Sequence, residues 1–307
     1  MMNDAAIKTV NLKKAFGGAM AVDDLNLEIK KGELFGMVGP DGAGKTTTMR
    51  MLAAIMEPTS GEAWVAGHSV LHEGEQIKEK IGYMSQKFGL YEDLTVVENI
   101  IFYADIYEVV KRERPSRVER LLGFSNLTPF KDRLAGRLSG GMKQKLGLAC
   151  ALIHTPEVLF LDEPTNGVDP VSRRDFWKIL YDLLKEGVTI FVSTSYLDEA
   201  ERCTRISLMH KGRIIMDDSP GAVKRSLGVP MFEMWSDDAR DSLDIIKQIE
   251  GVISVSLYGN KLHVALTERK LIDDIIIQLK RAGIETRGQR EILPSIEDIF
   301  ISQVESR

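Results

Sequence analysis

The chain has 307 residues, with 40 Lys+Arg against 45 Asp+Glu and a formal net charge of −5, which leaves room for about two domains. Its residues are 44% hydrophobic and 28% charged, with a mean hydropathy of −0.10. No stretch approaches the roughly 18 consecutive apolar residues of a membrane-spanning helix, so a bilayer-crossing chain is not expected. The opening segment MMNDAAIKTV has no basic region followed by an apolar core, and no secretory signal is expected. Two cysteines, Cys150 and Cys203, are too few for a disulfide framework, which points to a reduced cytosolic setting. An acidic balance without a Lys/Arg block argues against nucleic acid as the main partner.

Through about residue 220, apolar β-branched segments alternate with longer amphipathic ones, the pattern of an α/β domain with a largely parallel sheet. The clearest predicted strands are 34–38, 158–161 and 188–194. Each is apolar on nearly every residue and runs into a polar loop, as expected of strands buried on both faces with ligands at their carboxyl edge. After the first comes Gly39-Pro40-Asp41-Gly42-Ala43-Gly44-Lys45-Thr46, then Thr47 and a helical pattern, which matches G-x-x-x-x-G-K-[ST] in the required strand-to-helix context. The glycines let backbone N–H groups wrap phosphate oxygens, Lys45 supplies a cation to the β and γ phosphates, Thr46 offers a hydroxyl to Mg²⁺, and the helix N-terminus adds partial positive charge.

Residues 92–155 read as a mostly helical insertion, with helices expected at 97–107, 117–122 and 143–154. Near its end lies Leu138-Ser139-Gly140-Gly141-Met142-Lys143-Gln144. The strand at 158–161 then ends in Asp162 and Glu163. Asp162 at a strand end can reach a Mg²⁺ shell, and Glu163 can orient or deprotonate an attacking water. Together with the phosphate loop this defines a nucleoside triphosphatase.

The stretch Leu138-Ser139-Gly140-Gly141, placed between the two nucleotide motifs, resembles the LSGGQ-like signature of the ATP-binding subunits of ABC transporters. The resemblance implies a P-loop NTPase fold of ABC type with a helical subdomain, ATP and Mg²⁺ as ligands, and composite sites. In such sites Ser139, Gly140 and Gly141 face the γ-phosphate bound by the opposite subunit. It further implies that Gln86, in Tyr83-Met84-Ser85-Gln86, contacts Mg²⁺ and water, with residues 91–95 at the surface coupled to a membrane subunit. Phe16 takes the place of the aromatic that stacks on adenine, core packing being the other reading. Asp169, in Gly167-Val168-Asp169-Pro170, falls in the loop along the dimer interface. One position departs: after Val192-Ser193-Thr194 the family usually carries a histidine, whereas this chain has Ser195, and none of its five histidines lies within ten residues of it. Serine donates one hydrogen bond and carries no charge, so transition-state stabilisation is expected to fall by roughly 2 to 4 kcal/mol. A homodimer would carry two impaired sites. A heterodimer, the favoured arrangement, would let the intact signature complete a competent site on a partner.

A break near 221–230 separates residues 1–222 from an accessory domain at 225–307. There a strand at 232–235, a helix at 241–249, a hairpin of 252–257 with 262–266, a helix at 271–281 and a strand near 284–287 give βαββαβ, a ferredoxin-like order, before a capped helix from 295 to near 304. This tail resembles the small C-terminal domain of ABC-2-type, drug-resistance-like ATP-binding subunits. The implied function is to power an exporter through a membrane permease, from the inner face of the membrane. An ATP-sensing regulatory subunit and a soluble ABC ATPase outside transport are the alternatives. No metal other than nucleotide-bound Mg²⁺ is expected, and Trp64, Trp177 and Trp235 read as core or interface residues.

Overall fold

The computed structural model describes residues 4–87 and 89–305; residues 1–3 of the opening segment lie outside them. The chain divides into two compact units, Met1–Ile214 and Ile215–Arg307. Among the described residues no helix is long and apolar enough to cross a membrane.

The first unit is built on a sheet in the order Arg205–His210, Leu34–Val38, Thr189–Thr194, Val158–Asp162, Ile81–Met84. The four pairings from Arg205–His210 to Ile81–Met84 are parallel. Every residue of Leu34–Val38, Val158–Asp162 and Thr189–Thr194 is buried, which is why these strands read as continuous apolar runs. Phe191 meets Phe35 edge-on at 5.1 Å and Phe160 at 5.7 Å between ring centroids. Each such ring buried contributes about 1.5–3 kcal/mol. The register aligns Val38 with Thr194 and Asp162 with Ser193. The loops after these three strands therefore emerge side by side.

A second, antiparallel sheet pairs Ala19–Lys30, Ala5–Phe16, Ser60–Val65 and His68–Ser69 in that order. The sequence reading did not anticipate it. The hairpin strands Ala5–Phe16 and Ala19–Lys30 are interrupted by register shifts, and Asn11 and Asp24 take positive φ values of 47° and 59°. Such bulges break the period-two pattern that marks a half-buried strand.

The insertion carries helices Val96–Ile106, Arg114–Phe124 and Gly140–Leu152. Each starts one to three residues before the expected position. Thr95 and Glu98 form a reciprocal capping box at the first, Pro115 occupies the first turn of the second, and Ser139 caps the third by accepting from Met142 N at 3.3 Å. Caps lie outside the apolar pattern from which helix bounds are read.

The second unit holds strands Val252–Tyr258, Lys261–Leu266, Met231–Ser236 and Thr286–Ile292 side by side, all antiparallel. In chain order this is 2-3-1-4, the ferredoxin-like arrangement, with Ala239–Ile246 and Leu271–Arg281 supplying its helical layer and Ile296–Glu305 closing the unit. The strand expected near 284–287 begins later, at Thr286. Gly283 turns at φ 82° and Ile284 N donates back to Leu279 O at 2.9 Å, so these residues end the preceding helix.

Candidate active site

The phosphate loop connects Leu34–Val38 to helix Lys45–Leu52, and its first residue is held to the neighbouring strand by Gly39 N donating to Thr194 O at 3.3 Å. Gly42 and Gly44 take φ values of 77° and 110°, accessible to glycine at little cost. Lys45, only 4% exposed, donates from Nζ to the carbonyls of Gly39 at 2.7 Å and Pro40 at 3.1 Å, and lies 3.4 Å from Glu163 Oε1. Its ammonium is thereby fixed at the mouth of the loop.

Two carboxylates mark the end of strand Val158–Asp162, Asp162 as its last residue and Glu163 as the next. Buried Asp162 accepts at Oδ1 from Thr46 Oγ1 at 3.0 Å and from Ser193 Oγ at 2.6 Å. Glu163 adopts a left-handed φ of 49°, held by its N–H, which donates to Ser193 O and Oγ, both at 3.1 Å. Its Oε2 accepts from Gln86 Nε2 at 3.2 Å and Asn166 Nδ2 at 3.3 Å. Ala21, Asp41, Gly42, Ala43, Gly44, Lys45, Thr46, Thr47, Gln86 and Glu163 line one cavity of about 320 Å³.

The sequence-derived residues Gly42 to Thr47, Asp41, Gln86 and Glu163 thus converge, with Gly39 and Pro40 contributing carbonyls and Asp162 reached through Thr46. Gln86 rests on Glu163 rather than on the Thr46–Asp162 pair. Ser195 is exposed on the loop that follows Thr194. Phe16 ends strand Ala5–Phe16 at 49% exposure with Lys14 Nζ 5.2 Å from its ring, so it is a surface residue and not part of the core.

Ser139, Gly140, Gly141 and Asp169 do not line the cavity. A Cβ at Gly140 would meet nothing, whereas one at Gly141 would overlap the Ser172 side chain, so Gly141 is required for packing within this chain. Asp169 caps helix Pro170–Lys185, accepting from Val171 N at 3.1 Å and Ser172 N at 2.9 Å. Hydrogen bonds from the Ser172 side chain and backbone hold its carboxyl below the usual range.

Four polar residues at this site were not singled out from the sequence: Ser193, Asn166, Tyr196 and Glu199. Glu199 is fully buried and binds both loops, accepting from Thr165 Oγ1 and, at 2.9 Å, from Thr194 Oγ1. Tyr196 donates to Asn166 Oδ1 at 3.2 Å. Their only sequence signal is proximity to Asp162-Glu163 and to Thr194.

The donors suit a nucleotide and its cation. A fixed ammonium and open glycine backbone match phosphate oxygens, and a hydroxyl 3.0 Å from a carboxylate offers the hard oxygens Mg²⁺ prefers. Among the described residues no group of three or more His, Cys, Asp or Glu could hold a metal. Such a site is completed by substrate phosphates.

The ABC transporter family model matches residues 22–166. A probable multidrug ABC transporter ATP-binding protein, YbhF of Escherichia coli K12, is 44% identical over 98% of this chain and 52% of its own length. The daunorubicin/doxorubicin resistance ATP-binding protein DrrA of Streptomyces peucetius is 34% identical over 97% of this chain and 92% of its own. The chain belongs to the ABC transporter ATP-binding proteins. This cassette spans about half the length of the YbhF relative. Its fold matches the dimeric post-hydrolysis structure of the cassette MJ0796 bound to ADP and Pi, with a TM-score of 0.63 and 26% identity over 69% of this chain and 98% of that one.

Proposed function

We propose that this chain is the ATP-binding subunit that energises an ABC-2-type membrane exporter, closing as a dimer around ATP and reopening after hydrolysis. The convergence of Lys45, Thr46, Gln86 and Glu163 on one cavity, with Asp162 beside Thr46, carries this reading. In it the loop Gly39-Pro40-Asp41-Gly42-Ala43-Gly44 and Thr47 bind the nucleotide phosphates, Lys45 neutralises charge on the β and γ groups, and Phe16 stacks on the base. Thr46, Asp162 and Gln86 hold Mg²⁺, which when bound offsets the negative charge developing on the phosphoryl oxygens. Glu163 orients the attacking water and takes its proton.

Ser139 and Gly140 reach the opposite nucleotide, and Asp169 lies along the dimer seam. Exposed Ser195 follows Thr194, whose carbonyl meets Gly39 N at 3.3 Å, so residue 195 borders the phosphate loop. A serine there supports slow turnover at this chain's own site and pairing with a competent partner. Export and a permease partner at the inner face of the membrane are supported by the multidrug and drug-resistance names of the relatives and by the accessory unit.

ATPase activity of the purified chain beside Glu163→Gln and Ser195→His, with dimerisation followed in ATP-Mg²⁺, tests the reading. A slow wild type accelerated by Ser195→His supports a degenerate half that needs a partner. A fast wild type silenced only by Glu163→Gln supports a homodimer. Absence of nucleotide-dependent dimerisation and of copurification with a membrane protein sinks the exporter reading.

A further inference from the structure

We propose that Tyr196 is a positioning residue for Glu163, acting through the side-chain amide of Asn166. The inference rests on the proposed role of Glu163 as the group that receives the water's proton.

Glu163 holds a left-handed φ of 49° that its backbone bonds to Ser193 maintain, but those bonds leave its side chain free to turn. Among the described residues three contacts fix the carboxylate: Lys45 at Oε1, and Gln86 and Asn166 at Oε2. Lys45 and Gln86 are assigned to nucleotide and Mg²⁺ in the same cycle. Asn166 has neither task, and lies outside the cavity lining.

The amide of Asn166 supports Glu163 only in one orientation. With Nδ2 toward Glu163 it donates; turned over, its oxygen would face a carboxylate and repel it. The carboxylate, which only accepts, selects the orientation in which Nδ2 meets Glu163 at 3.3 Å. The Tyr196 hydroxyl, donating to Asn166 Oδ1 at 3.2 Å, then holds the amide in place from its other end.

Tyr196 is itself well held. Its N–H donates to Thr194 Oγ1 at 3.0 Å, and the Arg173 guanidinium lies 4.4 Å from its ring centroid. Arg173 is anchored by Asp198 at 3.6 Å and Glu199 at 3.5 Å. Buried Glu199, bound to Thr165 and Thr194, ties together the loops that carry Asn166 and Tyr196. The segment that presents Ser195 therefore also supports the neighbouring carboxylate, through residue 196.

Tyr196→Phe keeps the ring and its contact with Arg173 and removes only the hydroxyl, so folding is retained. In steady-state ATPase assays of the full chain, Tyr196→Phe is expected to lower kcat about three- to tenfold, the scale of one neutral hydrogen bond, with KM for ATP and the melting temperature unchanged. Asn166→Ala should lower kcat similarly, and the double variant should be no slower than Asn166→Ala, because both act on one path. In a Glu163→Gln background Tyr196→Phe should have no further effect. If Tyr196→Phe matches wild type while Glu163→Gln is silent, the positioning role is overturned and the assignment of Glu163 stands. A change confined to KM, or losses that multiply in the double variant, overturns it equally. If wild type and Glu163→Gln hydrolyse ATP at the same rate, Glu163 is not the base and the positioning role falls with it.

Discussion

Lys45 Nζ stands between the Gly39 carbonyl, 2.7 Å away, and Glu163 Oε1, 3.4 Å away. One ammonium thus touches both halves of the proposed chemistry, the phosphate cradle and the base. Removing it should act on binding first. Lys45→Ala is expected to weaken ATP-Mg²⁺ binding at least about tenfold, since a charge-assisted contact contributes on the order of 1.5–3 kcal/mol. Glu163→Gln should leave affinity nearly unchanged while reducing turnover about 10²- to 10⁴-fold, the usual range for a positioned base. Calorimetric titration with ATP beside single-turnover hydrolysis separates the two. Equal affinities for Lys45→Ala and wild type would remove Lys45 from the phosphate site.

Ser195 offers the reverse experiment, a gain. The residue follows Thr194, which is aligned with Val38 in the sheet and bonded to Gly39, so a longer side chain at 195 starts beside the phosphate loop. Histidine there adds one preorganised donor, equivalent to roughly 2 to 4 kcal/mol of transition-state stabilisation, or about 10²-fold in turnover. Ser195→His should raise kcat of the purified chain without changing its melting temperature. An unchanged or lower rate would mean that Ser195 is not what limits this site.

What the sequence made legible follows a physical division. Strands buried on both faces, such as Leu34–Val38, write their environment into every residue, and Gly42-Ala43-Gly44-Lys45-Thr46 writes its chemistry into a fixed spacing. The bulged hairpin Ala5–Phe16/Ala19–Lys30 does neither, because its register shifts scramble the alternation. The roles of Ser193 and Glu199 were hidden for a different reason. Ser193 meets Asp162 only because two parallel strands share a register, and Glu199 meets Thr165 across 34 positions of chain. Beyond their closeness to Thr194, nothing local reveals either partner. Gly141 shows the converse: its motif pointed to a ligand, and the fold adds a packing demand from Ser172.

Gly44 joins conformation to function in a single residue. Its φ of 110° lies outside the range that L side chains adopt comfortably, and a Cβ there would overlap the Ala21 carbonyl oxygen and approach Met209 Cε to 2.8 Å. Gly44→Ala must therefore shift the backbone that begins helix Lys45–Leu52 and aims Lys45. Strain of this kind costs about 1–3 kcal/mol, with the clash in addition. The variant is expected to melt several degrees lower and to lose most ATP binding. Thermal denaturation and nucleotide titration check both. A variant that binds ATP like wild type would show that the loop tolerates another path.

In the second unit, His263 on strand Lys261–Leu266 lies with Nδ1 3.0 Å from Asp298 Oδ1 on the final helix and Nε2 3.6 Å from Glu233 Oε1 on Met231–Ser236. Tyr258 stacks on the imidazole at 4.9 Å, Lys261 and Arg290 reach Glu233, and Ser256 and Ser295 reach Asp298. The hydrogen bond with Asp298 raises the His263 pKa against the opposing effect of burial, with the Asp298 and Glu233 charges adding to it. For Asp298, burial pushes the carboxyl up, but bonds from His263 and Ser295 outweigh it and the net direction is down. The signs give a window. A raised histidine stabilises fully below its unfolded value of about 6.5 and loses that contribution as pH rises through its folded value. A lowered aspartate stabilises above about 3.9 and loses that contribution as pH falls. The pair therefore contributes most between about pH 4 and 6.5. Asp298→Asn removes a buried partner and part of the helix cap, and should cost about 3 kcal/mol near pH 6. Its penalty should shrink as pH rises through the folded pKa of His263. Denaturation of the full chain and the variant from pH 5 to 9 measures that difference directly. A penalty independent of pH would show that Asp298 acts through its helix cap alone and that His263 carries no charge in the folded unit.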